Sequence, residues 1–164
     1  MIAPGSPAPK FVLPARGDGR DRLSLDELIS SGPALLAFFK TSCPVCALSF
    51  PVWGELARRH GDAVSMVAVS QDPLGKARPW LDDVGFDAPV LDDSNGYAVS
   101  AAYDIDTVPT LVLVDRAGEV VASSEGWDRR RANAWDVELA ELSGRPSVGP
   151  LSSDGDGRPP YRPG

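Results

Sequence analysis

Two cysteines three residues apart, Cys43-Pro44-Val45-Cys46, stand where an apolar run ends and a helix-forming segment begins, and they are the only cysteines in the chain. The run before them, Ala34 to Lys40, is almost continuously apolar, as expected of a central strand covered on both faces. The junction lies where that strand ends and the helix begins. The first helical turn there offers unpaired backbone N–H groups and the positive end of the helix dipole. A thiolate is the reactive form of cysteine, and a free thiol with a pKa of about 8.5 is mostly protonated at neutral pH. Cys43 at this junction has its anion stabilised. Pro44 suits the first turn, where its missing N–H costs nothing. Cys46 lies one turn on, on the same face. Helical neighbours at this spacing have Cβ atoms about 5–6 Å apart, and a disulfide needs about 3.5–4.5 Å, so a small adjustment closes the ring. The spacing therefore points to a redox pair, with Cys43 as nucleophile and Cys46 as resolving thiol.

Other readings of the pair are a half zinc site, a structural disulfide and two buried thiols. Zinc takes four ligands, and His60 is the only histidine. A disulfide closing so short a loop constrains the unfolded chain weakly. No metal or other cofactor is expected beyond the Cys43–Cys46 disulfide itself.

The length of 164 residues suffices for one domain with its own core. A net charge of −7 disfavours nucleic acid and anionic membrane as partners. No stretch approaches the roughly 20 apolar residues of a membrane span, and the start at Met1 lacks the pattern of a secretory signal. A cytoplasmic setting is the expectation, and cysteines in a reducing compartment suggest a working pair.

Along the chain, residues 1–9 read as an extended arm and Phe11–Leu13 as a short strand ended by Pro14. Ser24 and Glu27 match a capping box for a helix through Ile29. Helical spacing continues from Cys46 to His60, with a kink expected from Pro51. Val64–Val69 is a strand, and Asp72-Pro73 caps a helix to about Val84. Pro89–Leu91 is extended, and a helix follows around Gly96–Tyr103. Thr110–Val114 and Val120–Ala122 form a hairpin across Asp115–Gly118. Asp128–Leu142 is the last helix, and Arg129-Arg130-Arg131 reads as a solvated face. Residues 144–164, rich in proline and glycine with Val148 and Leu151 almost their only aliphatics, read as a mobile tail. Crossover helices early and a hairpin late predict an α/β fold: a central mixed sheet in residues 1–143 with helices on both faces.

With these pieces in place, the chain resembles the thioredoxin fold. The resemblance rests on Phe38–Cys46 and on Val108-Pro109-Thr110, followed by strand, Gly118 turn and strand. More narrowly it is similar to the redoxin branch joining TlpA/ResA-like thiol-disulfide reductases to AhpC/TSA peroxiredoxin-like proteins. Ala8–Pro14 looks like that branch's opening, and the segment between Ser70 and Val108 carries its extra helix. The resemblance implies a three-layer sandwich and reduction of protein or small-molecule disulfides, with an external thiol reductant restoring the pair. It also implies a cis bond before Pro109, and that Val108, with Thr41, Ser42, Pro44 and Pro109, contributes to substrate binding. Alternatives are a thiol-dependent peroxidase and a non-enzymatic redox sensor or metal carrier. Departures mark this chain. Ala37 stands where thioredoxin has a buried aspartate, Ser42 where it has tryptophan, and Pro44-Val45 replaces Gly-Pro. Peroxiredoxins place a threonine three residues before the cysteine; here Thr41 is two before, and Leu36 stands at their proline position.

Overall fold

A computed structural model describes residues 1–164. In chain order the elements are β1 (Val12–Arg16), β2 (Arg22–Ser24), α1 (Leu25–Ile29), β3 (Ala34–Phe39), α2 (Pro44–His60), β4 (Ser65–Ser70) and α3 (Leu74–Asp83). They continue with β5 (Val90–Asp92), α4 (Ala98–Ala102), β6 (Thr110–Val114), β7 (Val120–Glu125), β8 (Trp127–Asp128), α5 (Arg129–Ser143) and β9 (Tyr161–Arg162). Seven strands form one mixed sheet in the order β2-β1-β5-β4-β3-β6-β7. β3, β4 and β5 run parallel, while β6 is antiparallel to both β3 and β7.

β3 is buried at every position, so it must be covered twice. Its side chains alternate as a strand requires. Leu35, Ala37 and Phe39 join the core under α2, α3 and α5. Ala34, Leu36 and Phe38 join the opposite core, closed by α1, α4 and the N-terminal arm through Ile2, Ala8 and Phe11. The architecture is the expected three-layer α/β sandwich. Phe39, at the end of β3, packs at 4.8 Å on Phe50 of α2 and stacks at 5.2 Å on Trp80 of α3, while Phe50 also meets Phe86 at 5.2 Å. Each such buried ring contributes about 1.5–3 kcal/mol. The cluster fixes the start of α2 against the sheet.

The capping box at α1 is present, with the Ser24 side chain on the Glu27 N–H and the Glu27 carboxylate on the Ser24 N–H. Several local expectations change. Strand β1 continues through Pro14, which pairs with Arg22 of β2, and β1 reaches β5 only at Ala15 and Arg16. Pro14 thus has a partner strand on one side only, where a missing N–H is tolerated. Helix α2 starts at Pro44 and is one helix through Pro51. The cap of α3 is Pro73, without a side-chain hydrogen bond; Asp72 is used elsewhere, as described below. Helix α4 is a short turn of helix whose first N–H groups, at Val99 and Ser100, are taken by the buried Asp93 carboxylate.

The largest difference is at residues 144–164. Instead of trailing free, they fold back along α5 toward the Cys43 end of the sheet. Apolar burial is slight, and polar contacts hold the segment. Asn133 receives the N–H groups of Leu151 and Ser152 on its Oδ1 and donates to the Ser152 carbonyl. Arg129, expected in solvent, is only 13% exposed at its side chain. It donates to Ser152 Oγ and to the Arg158 carbonyl, and pairs with Asp154. Arg131 lies over the Trp135 ring at 4.0 Å and pairs with Glu138. No helix is long and apolar enough to cross a membrane.

Candidate active site

Cys43 is the N-cap of α2, with extended backbone, and Pro44 occupies the first helical position. The Cys46 N–H points at Cys43 Sγ at 3.3 Å, as the helix start requires. The Cys43 thiol in turn donates to the Val108 carbonyl at 3.3 Å. When the thiol loses its proton, the sulfur keeps the Cys46 N–H as a donor. Cys43 is half-buried and reachable, whereas Cys46 is wholly buried. Burial pushes the Cys46 thiol well above the usual cysteine range. The two sulfurs are therefore chemically unlike: one accessible and facing a donor, the other enclosed and protonated. Both cysteines are free thiols in this structure.

The Val108–Pro109 peptide is cis. The Pro109 carbonyl accepts the Gly126 N–H at 2.8 Å, which ties it to the end of β7. Thr110 Oγ1 donates to the Thr107 carbonyl at 2.8 Å and closes the turn before β6. Cys43, Pro44 and Val108 line one open cleft of about 330 Å³ together with Gln71, Asp106, Thr107 and Gly164. The residues singled out from the sequence divide accordingly. Cys43, Cys46, Pro44, Val108 and Pro109 assemble at one place. Ser42 is exposed beside them. Thr41 is turned away: its N–H and its hydroxyl both donate to Asp72 Oδ2, each at 2.8 Å. Its hydroxyl hydrogen is not free for a bound substrate.

Asp72, read from the sequence as a helix cap, is thus a clamp on the loop before Cys43. Lys76 Nζ holds its other oxygen at 2.8 Å. Burial opposes ionisation of this carboxyl, but the hydrogen bonds from Lys76 and Thr41 outweigh it and hold its pKa below the usual carboxylate range. Substituting Asp72→Ala leaves the half-buried Thr41 donors unpaired and should cost about 1–2 kcal/mol of stability. Denaturant melts check this. The sign of the pH effect follows from the lowered pKa. The clamp's contribution is complete above about pH 4 and is lost as pH falls through the folded-state value, so the variant should lose less stability on acidification than the parent.

His60 lies far along α2 and bonds Asp136 of α5 at 2.9 Å. No cluster of three or more His, Cys, Asp or Glu side chains is placed to hold a metal ion.

The AhpC/TSA family model matches residues 4–123 of this chain. The chain belongs to the AhpC/TSA family. Within that relationship, the chain is 30% identical over 125 residues to the thiol-disulfide oxidoreductase ResA of Bacillus subtilis (strain 168), covering 73% of this chain and 66% of ResA. It is 28% identical over 101 residues to the thiol-disulfide oxidoreductase YkuV of the same organism, covering 58% of this chain and 68% of YkuV. The chain thus spans about two thirds of the length of these curated relatives. A solved structure from Chlorobium tepidum, provisionally described as a thiol:disulfide interchange protein DsbE, superposes with a TM-score of 0.75 at 26% identity, over 88% of this chain and all of that one. This AhpC/TSA member therefore stands among thiol-disulfide oxidoreductases and has their thioredoxin-like fold. The family match stops at residue 123, so the segment folded back from α5 lies outside it.

Proposed function

We propose that this chain reduces disulfides with the Cys43–Cys46 pair and needs no other cofactor. The observation that carries the reading is the unlikeness of the two sulfurs: a reachable Cys43 receiving the Cys46 N–H, and an enclosed, protonated Cys46 one turn later. Cys43 thiolate attacks a substrate disulfide, forms a mixed disulfide and expels one substrate thiolate. Cys46 then attacks Cys43 Sγ. The Cys43–substrate bond breaks, and the second substrate sulfur leaves with the Cys46 proton. Two electrons have passed to the substrate, and the pair is a disulfide. An external thiol reductant returns two electrons, a cycle suited to a reducing compartment such as the cytoplasm. The open cleft at Cys43 and Val108 gives a substrate disulfide access to Cys43 Sγ.

A thiol-dependent peroxidase is the second reading. It is weakened by the Thr41 hydroxyl, whose hydrogen goes to Asp72 rather than toward Cys43. A metal carrier is weakened by the pairing of His60 with Asp136 instead of the cysteines.

The test is a redox titration in a thiol buffer with mass tagging of free cysteines. The expected result is a reversible Cys43–Cys46 disulfide with a reductase potential, near the value of about −270 mV of thioredoxin. A pair that forms no reversible disulfide overturns the reading.

A further inference from the structure

The segment that the sequence marks as a tail ends on the active site. Strand β9 pairs antiparallel with β8, Arg162 opposite Trp127 and Tyr161 opposite Asp128. Trp127 Nε1 donates to the Pro159 carbonyl at 2.7 Å, and the Arg129 N–H donates to the Pro160 carbonyl at 2.9 Å. Arg158 reaches across to the Leu48 carbonyl of α2 at 3.3 Å. This anchoring carries Gly164 onto Thr107 and Val108. A methyl group added to Gly164 would collide with Thr107 Oγ1 and lie 2.8 Å from the Val108 carbonyl oxygen, the same oxygen that receives the Cys43 thiol. At Gly126, where the strap crosses, an added methyl would lie 2.8 Å from the Arg162 carbonyl oxygen. Backbone thus packs on backbone at both points, with no room for a further chain between.

We propose that residues 158–164 form a built-in strap that occupies the place beside Thr107 and Val108 where the backbone of a protein substrate would lie. The proposal rests on the disulfide-reductase reading above. A small disulfide needs only Cys43 Sγ and the open cleft, and reaches it with the strap in place. A disulfide within a polypeptide brings flanking residues against the Val108 carbonyl, and these collide with Gly164. The strap therefore selects small disulfides, and protein disulfides react only from the state in which it has swung away. The hold is suited to release, because it consists of one two-residue strand pair and a few polar contacts, with little apolar surface. Tyr161 is 60% exposed.

The test uses the full chain carrying Cys46→Ser. Cys43 is converted, with activated disulfides, to a mixed disulfide with 2-mercaptoethanol or with a cysteine-bearing peptide. Hydrogen exchange of the Tyr161, Arg162 and Gly164 amides, the ones this segment has between its prolines, is then followed by mass spectrometry. Because exchange reports the population of the opened state, the peptide adduct should exchange about tenfold or more faster in this segment, and the small adduct at the unmodified rate. Equal protection in the two adducts overturns the strap. Turnover gives a second readout. Arg129→Ala loosens the strap without touching the cleft, and it should raise the rate on a disulfide-bonded protein such as insulin severalfold while leaving that on bis(2-hydroxyethyl) disulfide unchanged. An equal effect on both substrates, or none on either, overturns the selective role. A chain that reduces neither disulfide refutes the proposed function, and the exchange result still judges the strap.

Discussion

Replacing Cys43 by serine should abolish disulfide turnover, with a loss on the order of 10³–10⁶-fold, as expected when a covalent nucleophile is removed. Serine keeps the shape and places an Oγ where the Cys43 Sγ caps α2, so the fold should survive, and a normal thermal melt separates chemistry from stability. Replacing Cys46 by serine should have a different signature. Cys43 still attacks, but nothing resolves the intermediate, so mixed disulfides accumulate and are seen as mass adducts. Full multi-turnover reduction by Cys46→Ser without added thiol would reverse the assignment. The pH dependence of the parent should report the buried thiol. Its pKa is raised by burial, so near neutrality only a small fraction is thiolate. The resolving step should therefore accelerate with pH by about tenfold per unit over the range where Cys46 remains mostly protonated. Stopped-flow measurement of mixed-disulfide decay gives this slope directly.

The second large effect is expected at Asp136. This carboxylate is 1% exposed and joins three parts of the molecule. It accepts from Arg59 at 3.2 Å and from His60 at 2.9 Å, both at the end of α2, and from Ser147 beyond α5. Burial works against its charge, but the hydrogen bonds from Ser147, His60 and Arg59 prevail and lower its pKa. Asp136→Ala leaves the buried His60 ring N–H without its acceptor and takes one partner from Arg59, which keeps Glu55 at 2.9 Å and the Gly149 carbonyl at 2.7 Å, and should cost about 1–3 kcal/mol. For a chain of this size that corresponds to a Tm lower by about 2–12 °C. The lowered pKa sets the sign with pH. The stabilisation is complete above about pH 4 and drains away as pH falls through the folded-state value. Asp136→Asn should therefore flatten the acid limb of the stability profile. An unchanged melt in Asp136→Ala would show that the ion cluster contributes nothing net.

The parts of this protein that could be read from its residues are those with a local or periodic cause. Ala34–Phe39 announces a strand covered on both faces because every position is apolar. Ser24 and Glu27 announce a helix start because three residues separate a cap from its reciprocal acid. Cys43 and Cys46 announce a site because their spacing matches one helical turn. What was illegible joins residues far apart through polar groups. Asp72 clamps Thr41 across 31 positions, and a helix cap was the nearer explanation for an aspartate before a proline. The strap is hidden from the sequence for a similar reason. Its scarcity of aliphatics excludes a core but says nothing about Arg129, Asn133 and Trp127, whose hydrogen bonds hold it down. Arg129 itself looked solvated because a run of three arginines carries no sign of which one turns inward.

Both ends of the chain fasten onto the same β6–β7 hairpin region. On one side the Gly5 and Ala8 N–H groups bond the Val120 and Gly118 carbonyls, and Ser123 Oγ meets the Ile2 carbonyl across 121 positions. On the other, Trp127 at the exit of β7 holds Pro159 across 32. Closing loops of such length costs chain entropy before any contact repays it. The hairpin, whose own turn spans only Asp115–Glu119, has no such cost. Its formation is therefore the event on which both ends wait, and the arm and the strap are the last pieces to lock and the first to fray.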